Sequence, residues 1–209
     1  MLKTDFSLPF TEKLEMLLST TPYCVAAIDG RCGAGKSTLA KELKKRFDCN
    51  VIHMDDFYLP ASLRTRERLE QPGGNVHYER FMEEIISPLD QLKRTHNPTI
   101  TFAYRVFDCH EMKFTKTTPV VAKPLTIIEG VYSMRPEFRF LYDTSLYLDI
   151  SGELQKERLL SRVGKEAFLS FETRWIPMEN RYFSHYHIEE CCEFTQFVSQ
   201  QESPDTGHC

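Results

Sequence analysis

Long hydrophobic runs are missing from this sequence, and their absence argues against two classes of protein. No apolar stretch approaches the roughly 20 residues that a membrane-spanning helix needs. The first residues, MLKTDFSLPFTEKLEMLL, are interrupted by Asp5, Glu12 and Glu15, so they do not resemble a secretory signal peptide. We therefore expect a protein of the cytoplasm without a membrane partner.

A regular cysteine framework and an excess of positive charge are also missing. The seven cysteines are odd in number and irregularly spaced, Cys191 and Cys192 are adjacent, and no C-x-x-C pair occurs. This pattern favours neither a disulfide framework nor a zinc site, and a reducing cytoplasm is the simplest compartment. The formal net charge is −4, whereas nucleic-acid-binding domains usually show a basic face. We expect no nucleic-acid partner.

The composition is typical of one globular domain. The 209 residues are 41% hydrophobic and 27% charged, which is ordinary globular usage and enough to bury a core without disulfides or metals. We predict a single domain over residues 1–209, with room for a small insertion or lid. Nothing in the composition fixes the oligomeric state, and a homo-oligomer is compatible with it.

The distribution of apolar residues predicts an α/β fold with a parallel sheet. Short apolar runs indicate buried strands, and amphipathic stretches indicate helices between them. Strands are predicted at 23–28, 50–54, 125–128 and 146–150, and helices at 11–19, 36–47, 61–70, 78–93, 153–163 and 178–190. Residues 99–121 are predicted to form a small β excursion, residues 158–177 a lid, and residues 200–209 a mobile polar tail.

One motif carries a specific chemistry. The run GRCGAGKS at 30–37 matches G-x-x-x-x-G-K-[ST] at every fixed position, between a predicted strand and a predicted helix. Its glycines let the backbone turn and approach a phosphate, and its N–H groups attract negative charge. Lys36 is expected to reach the β- and γ-phosphates of ATP, and the Ser37 hydroxyl to ligate Mg²⁺. The predicted nucleotide site comprises Gly30, Arg31, Cys32, Gly33, Ala34, Gly35, Lys36, Ser37 and Thr38.

The loop alone leaves the reaction open, since ATPases, GTPases and kinases share it. Asp55 and Asp56 follow the second predicted strand, and ligands of open α/β sheets gather outside the carboxyl ends of strands. An aspartate there can accept the proton of an acceptor hydroxyl or help to hold Mg²⁺, with a turn or N-cap aspartate as the alternative. Glu129 ends the apolar run LTIIE and is a second candidate for Mg²⁺, directly or through water.

Arginines dominate the later candidates. Arg158 and Arg162 lie four residues apart on a predicted helix and so share a face, where they can either spread over a migrating phosphoryl charge or form a solvated surface. Function is favoured for Arg162, and both interpretations stay open for Arg158. The three arginines at 64, 66 and 68 are predicted to form a solvated helix face. Cys32 is not expected to be catalytic but stays a candidate for thiol modification.

Five segments together resemble the uridine kinase family of P-loop kinases. They are GRCGAGKST, HMDDFYLP, NVHYERF, TIIEGVYS and LDISGELQKERLLSRV, and they cover about residues 23–165. That family belongs with phosphoribulokinase and bacterial pantothenate kinase. The resemblance implies a P-loop domain of the nucleoside-monophosphate-kinase kind that uses ATP and Mg²⁺. It also implies Asp55 as the catalytic aspartate and Ser37 and Glu129 as Mg²⁺-associated positions.

On the acceptor side, the resemblance implies Asp55, Tyr58, His77, Tyr104 and Arg162 as substrate-binding residues. Tyr104 would pack near a nucleobase, and Arg162 would lie near the ribose and phosphates. The sequence departs from the family here. His77 stands roughly where the family has an aspartate that binds the ribose hydroxyls, Tyr104 is not followed by aspartate, and the arginine-rich lid pattern is missing. These departures fall on the acceptor side and not on the ATP side.

We therefore predict an ATP-dependent kinase that phosphorylates a hydroxyl group of a small molecule, with uridine or cytidine as the first candidates. Lys36, Asp55 and Arg162 are the predicted catalytic residues, and Ser37, Asp55 and Glu129 the predicted Mg²⁺ ligands. Two alternatives stay open: a kinase for another acceptor, such as pantothenate or a sugar phosphate, and an NTP-binding switch protein with slow hydrolysis.

Overall fold

The computed structural model describes residues 8–109 and 111–199. The predicted mobile tail at 200–209 lies outside the described residues. The strands are β1 Cys24–Gly30, β2 Cys49–His53, β3 Thr101–Asp108, β4 Lys113–Val121, β5 Leu125–Glu129, β6 Thr144–Ile150 and β7 Phe194–Val198. The helices are α1 Leu8–Thr20, α2 Lys36–Arg46, α3 Arg66–Glu70, α4 Tyr78–Phe81, α5 Ser87–Thr95, α6 Gly152–Ser170, α7 Ile176–Tyr186 and α8 Ile188–Cys191.

A five-stranded parallel sheet forms the centre, in the order β2-β5-β1-β6-β7. All seven residues of β1 and all five of β5 are buried, because helices cover both faces of the sheet. This is why these strands read as continuous apolar runs. The parallel sheet and its α/β class confirm the fold that the sequence predicts. Strand β7 was not predicted, since it is a half-exposed edge strand with no continuous apolar run.

The two faces of the sheet carry two separate cores. On one face, Ala26 and Ile28 of β1 pack with α1 and α2. On the other, Val25 and Ala27 pack with a long helical segment made of α4, a wider π-helical turn at Met82–Ile86, and α5. Neighbouring β1 residues alternate between the two cores because successive side chains of a strand point to opposite faces. Because β1, β2 and β5 run parallel, the loops that follow them leave the sheet at the same edge.

The predicted β excursion is an antiparallel hairpin of β3 and β4 outside the main sheet. It has a bulge between Val106 and Phe107. Tyr104 and Val120 are buried and join the core that contains α4 and α5. The hairpin is therefore fastened to the domain by its buried face, as the prediction of a local excursion requires.

Two predicted helices differ from the structure. Over 61–70 there is a short 3-10 turn, Ala61–Leu63, followed by α3, because Thr65 accepts a hydrogen bond from Arg68 N (3.2 Å) and starts a new helix. Over 178–190, α7 and α8 are separated by His187, whose φ is 50°. In both places a local hydrogen bond or turn interrupts a pattern that otherwise has helical spacing.

The predicted lid region, 158–177, is helical and bent. Gly164 lies inside α6 with φ 77° and ψ 170°, and α6 continues through a π-helical turn, Phe171–Trp175, into α7. A break of this kind at glycine lets the two halves of a helix point in different directions. Whether the segment closes as a lid stays a prediction. Among the described residues, no helix is both long enough and apolar enough to cross a membrane.

Candidate active site

The site lies where three parallel strands end together. The loops after β1, β2 and β5 and the surfaces of α6 and α7 enclose one cleft. Its described lining includes Gly33, Gly35, Lys36, Ser37, Thr38, Asp55, Tyr58, Asn75, Glu129, Tyr132, Arg158, Arg162, Arg174 and Glu179. Parallel strands present their carboxyl ends at one edge, and ligands of such sheets bind there.

The loop between β1 and α2 has the shape of a phosphate cradle. Helix α2 begins at Lys36 directly after Gly35, whose φ is 101°. Lys36 is buried, and its Nζ donates hydrogen bonds to the carbonyl oxygens of Gly30 (2.7 Å) and Arg31 (2.9 Å). A Cβ on Gly30 would lie 2.1 Å from the carbonyl oxygen of Leu148, so the close approach of β6 requires glycine here. The part of Gly30 in binding a nucleotide stays a prediction.

The loop is held by contacts with β6, α6 and α7. Arg31 forms an ion pair with Asp149 (2.8 Å), and the backbone N–H of Cys32 donates to Glu179 Oε2 (3.1 Å). Arg158 Nη1 donates to the carbonyl oxygen of Gly33 (3.1 Å). Of the two interpretations open for Arg158, a purely solvated surface position does not fit this contact. The helices after β6 are therefore attached directly to the phosphate cradle.

An acidic wall faces the cradle. Ser37 Oγ donates to Glu129 Oε1 (3.0 Å), and His53 Nδ1 pairs with the same carboxylate oxygen. Asp55 lies on the same wall, where its Oδ1 accepts a hydrogen bond from the Tyr58 hydroxyl (3.1 Å). The pairing with Glu129 raises the pKa of His53, against the opposing effect of burial.

This donor set fits Mg²⁺. Magnesium prefers hydroxyl and carboxylate oxygens, and it usually takes one or two protein carboxylates together with phosphates and water. Ser37, Asp55 and Glu129 supply such oxygens in one cleft. Among the described residues, no cluster of three or more histidine, cysteine or acidic side chains is arranged to hold a metal alone. The arrangement therefore suits an ion that arrives with a phosphate ligand.

Asp55 combines access to the cleft with a raised pKa. Its side chain is open to the solvent of the cleft, but the surrounding protein and the nearby charge of Glu129 both raise its pKa. A carboxylate with a raised pKa takes a proton more readily than an ordinary one. The hydrogen bond from Tyr58 fixes which oxygen remains available.

Two predicted acceptor residues lie elsewhere. His77 caps α4, with its Nδ1 accepting a hydrogen bond from Arg80 N (3.3 Å). Tyr104 is buried, stacks on Phe57 at 5.4 Å and donates its hydroxyl hydrogen to Asp56 Oδ2 (3.2 Å). Neither belongs to the described lining of the cleft. Their binding roles stay predictions, and their observed contacts are with the protein itself.

The predicted solvated arginines differ among themselves. Arg66 is exposed, as expected, and pairs with Glu70. Arg68 is not a solvated residue: its side chain is 16% exposed and donates to the carbonyl oxygens of Gly74 and Val76 (both 3.0 Å). Arg64 lines the cleft together with Arg174. The prediction was thus wrong for Arg68, because the turn that precedes α4 folds back and brings Gly74 and Val76 into contact with its side chain.

Several cleft residues had no predicted role, although Asn75 and Tyr132 stand in segments that carry the family resemblance. Asn75 follows the break Gln71–Gly74, Tyr132 follows Glu129-Gly130 in the third loop, and Glu179 lies in a segment predicted only as a helix. One local signal is conformational: Tyr132 has φ 78°, which is rare for a residue other than glycine and is concentrated at functional sites. The asparagine and the glutamate are recognisable only in the folded chain.

Comparison with known proteins agrees with this geometry. No protein-family model matches the chain. A uridine kinase from Clostridium perfringens is 30% identical over 141 residues, which are 65% of this chain and 65% of that protein. A uridine kinase from Clostridium tetani is 26% identical over 75% of each chain. The chain therefore spans slightly less than two thirds of the first of these relatives.

Solved structures show the same fold. A candidate uridine kinase from Bacillus stearothermophilus matches 90% of this chain and 99% of its own, with a TM-score of 0.61 and 20% identity. D-glycerate 3-kinase from Cryptococcus neoformans var. grubii matches 86% and 85%, with a TM-score of 0.53 and 14% identity. At these identities the likeness establishes the P-loop kinase fold and leaves the substrate open.

Proposed function

We propose that this protein is an ATP-dependent kinase that phosphorylates a hydroxyl group of a small molecule, because the chain belongs to the uridine kinase-like family of P-loop kinases. The observation that carries the proposal is the meeting of Lys36 and Ser37 with Asp55 and Glu129 in one cleft. A phosphate cradle beside a free carboxylate is what transfer to a hydroxyl needs. A nucleoside such as uridine or cytidine is the first acceptor to test, since the relatives carry the name uridine kinase.

At the phosphate end, the backbone N–H groups of residues 30–38 and the start of α2 would bind the triphosphate of ATP. Lys36 would exchange its two carbonyl partners for β- and γ-phosphate oxygens. Arg162, which lines the same cleft, would spread over the charge of the transferred group. Ser37, Asp55 and Glu129 would hold Mg²⁺, which supplies charge neutralisation on the phosphates when bound.

At the acceptor end, Asp55 would receive the proton of the acceptor hydroxyl. A bond forms between the acceptor oxygen and the γ-phosphorus, the bond from that phosphorus to the bridging oxygen breaks, and ADP leaves. Tyr58 keeps Asp55 oriented through its hydrogen bond to Oδ1 (3.1 Å). The pKa of Asp55 is raised first by the loss of hydration that the surrounding protein causes and then by the charge of Glu129, which suits this task.

A second acceptor class has one observation in its favour. Arg64 and Arg174 line the cleft, and neither forms an ion pair with a described residue. Burial and then the charge of Arg174 lower the pKa of Arg64, so the two cations lie close together. Such a pair would suit an acceptor with a carboxylate or phosphate, as in pantothenate or a sugar phosphate.

The test is ADP release from ATP and Mg²⁺ with a panel of acceptors: uridine, cytidine, adenosine, pantothenate, ribulose 5-phosphate and glucose. Stimulation by a nucleoside supports the first acceptor, and stimulation only by an anionic compound supports the second. Hydrolysis that no acceptor stimulates would instead support a switch protein and contradict the proposal.

Asp55→Asn separates the base from a general effect on folding. Loss of a general base costs about 10²–10⁴ in kcat, while binding of ATP should change little. Asp56→Asn is the matched control, because Asp56 is adjacent in sequence but bonded to Tyr104, and it should keep kcat within a few-fold of the original. Equal losses in the two variants would remove Asp55 from the proposed role.

A further inference from the structure

A buried polar group lies beside Asp55 that phosphoryl transfer itself does not use. It consists of Asn75, Tyr132 and Glu179, all of which line the cleft. Asn75 and Glu179 are each 5% exposed. Asn75 precedes Val76, which pairs with Tyr58, and the Tyr58 hydroxyl donates to Asp55 (3.1 Å). The charge of Asp55 also acts on Glu179, and that of Glu179 on Tyr58 and Tyr132. Buried polar groups are costly unless they have partners, so the partners of these residues indicate what the pocket binds.

Glu179 has unused hydrogen-bonding capacity. Its Oε2 accepts the backbone N–H of Cys32 (3.1 Å), and the Cys32 thiol is a second partner. A carboxylate offers about four lone-pair sites, so part of its capacity remains for another donor. In the described part of the chain, Glu179 forms no ion pair within 4.0 Å. Burial raises its pKa, and the more distant charge of Lys36 opposes this.

Asn75 has an orphaned acceptor. Its Oδ1 is buried and has no hydrogen-bond partner, whereas its amide is within hydrogen-bonding reach of the Tyr132 hydroxyl. Native proteins satisfy nearly all such atoms, so a buried carbonyl oxygen without a partner calls for a missing donor. Asn75 is also firmly placed, because its backbone oxygen accepts Leu59 N (3.0 Å) and the next residue pairs with Tyr58 across an antiparallel bridge.

The turn before Asn75 is built to deliver it. A Cβ on Gly74 would lie 1.8 Å from the carbonyl oxygen of Arg68, so only glycine permits this approach. Arg68 then bonds the carbonyl oxygens on both sides of Asn75, those of Gly74 and Val76. The backbone on both sides of Asn75 is therefore held, while its side-chain oxygen has no partner.

The chemistry of the two residues selects their ligand. Both lack donors toward it: a carboxylate and an amide oxygen accept hydrogen bonds, and the negative charge of Glu179 disfavours a phosphate. Neutral hydroxyl groups donate and fit both. We propose that Glu179 and Asn75 bind hydroxyl groups of the acceptor next to the one that faces Asp55, so that the acceptor is a polyol such as the ribose of a nucleoside. This inference rests on the proposed kinase function and assigns the carboxylate that the acceptor side otherwise lacks.

The experiment pairs the isosteric variant Glu179→Gln with acceptors that lack single hydroxyl groups. Binding and turnover of uridine, 2′-deoxyuridine and 3′-deoxyuridine are measured for both proteins, with a non-hydrolysable ATP analogue present in the binding arm. A hydrogen bond to a charged group corresponds to roughly 10- to 100-fold in affinity. The original protein should bind the deoxynucleoside that lacks the hydroxyl facing Glu179 more weakly than uridine by this factor. Glu179→Gln should bind uridine and the same deoxynucleoside with equal affinity. Asn75→Ala should do the same for the other hydroxyl.

Glu190→Gln is the matched control, since Glu190 is an exposed glutamate of the next helix, 79% accessible, and should keep the original discrimination. If Glu179→Gln keeps it as well, or raises KM for ATP instead of KM for the acceptor, the inference is overturned and Glu179 serves only the phosphate loop. If uridine is phosphorylated but Glu179→Gln discriminates between uridine and its deoxynucleosides as the original protein does, this inference alone is refuted. Glu179-dependent binding without turnover would refute the kinase alone, and the absence of both would refute both.

Discussion

Arg68 offers a sharp test of how the acceptor side of the cleft is held. Its guanidinium donates to the carbonyl oxygens of Gly74 and Val76 (both 3.0 Å), to Glu79 Oε1 (2.6 Å) and Oε2 (2.8 Å), and lies 3.7 Å from the centre of the Tyr78 ring. Gly74 and Val76 are buried. Arg68→Ala would therefore remove the partner of two buried carbonyl oxygens at once.

The size of the effect follows from these contacts. A buried polar group left without its partner costs about 1–3 kcal/mol. Because one rearrangement of the turn can relieve both carbonyl oxygens, the two costs do not add fully, and we expect the free energy of unfolding to fall by about 2–4 kcal/mol. The pair with Glu79 adds little, because that side chain is 52% exposed and exposed pairs are screened by solvent. Since Arg68 also holds the turn around Asn75, KM for the acceptor should rise while KM for ATP changes little.

Urea unfolding of Arg68→Ala and Arg66→Ala measures this prediction directly. Arg66 lies two residues away in the same helix, is 87% exposed and pairs only with Glu70, so its loss should cost about 0.5 kcal/mol or less. Our argument would be refuted if the two variants lost equal stability. A changed slope of free energy against urea in Arg68→Ala would instead show that the denatured or native state differs.

The pH dependence of the same comparison has a definite sign. Burial alone would raise the pKa of Glu79, but the hydrogen bonds and charge of Arg68 outweigh burial and hold the pKa at about 2. A lowered pKa adds stability that is present above the ordinary value near 4.5 and is lost as the pH falls toward 2. The difference in the free energy of unfolding between the original protein and Arg68→Ala should therefore become smaller as the pH falls from 6 to 3. If the difference stays constant over this range, the pair of Arg68 with Glu79 does not contribute to stability.

The remaining predictions concern the phosphate loop. Lys36→Ala should reduce kcat by about 10²–10³, as for loss of an electrostatic donor, with a far-ultraviolet circular dichroism spectrum that still shows the fold; near-normal turnover would contradict the loop assignment. Burial raises the pKa of the Cys32 thiol to about 12, so at pH 8 roughly one molecule in 10⁴ is a thiolate there. Iodoacetamide should therefore modify the exposed Cys191 well before the half-buried Cys32, as mass spectrometry of peptides would show. Equal rates would contradict the raised pKa of the Cys32 thiol.

The sequence predicts the centre of this fold well, for a physical reason. Strands such as β1 and β5 are covered on both faces, so they are continuous apolar runs that no turn interrupts. The phosphate loop is equally visible, because its conformation and its ligand are both set by one contiguous stretch of chain. The hairpin of β3 and β4 was likewise found from its local pattern.

Elements that depend on distant neighbours were missed. Strand β7 is half-exposed and exists through its pairing with β6, and Arg68 becomes buried only because the turn at Gly74 folds back onto it. Asn75 opens the segment NVHYERF and Glu179 lies in a segment without a motif, and the sequence predicted no role for either residue. The role of such residues depends on their proximity in the folded protein, and their spacing along the chain does not reveal that proximity.

The two ends of the cleft therefore follow different rules. In our proposal, binding of the triphosphate depends on backbone N–H groups in one loop, so its signature survives as a motif. Binding of the acceptor depends on single side chains that reach one cavity from several elements. A hydroxyl group of the substrate needs a hydrogen-bond acceptor atom within reach, and any element of the fold can provide that atom. In our proposal, α7 contributes that atom through Glu179, while His77, at the position where the resemblance implies a ribose-binding aspartate, caps α4. Since the binding role of His77 stays a prediction, the comparison of Glu179→Gln with the original protein decides whether a carboxylate of α7 serves the hydroxyl groups of the acceptor.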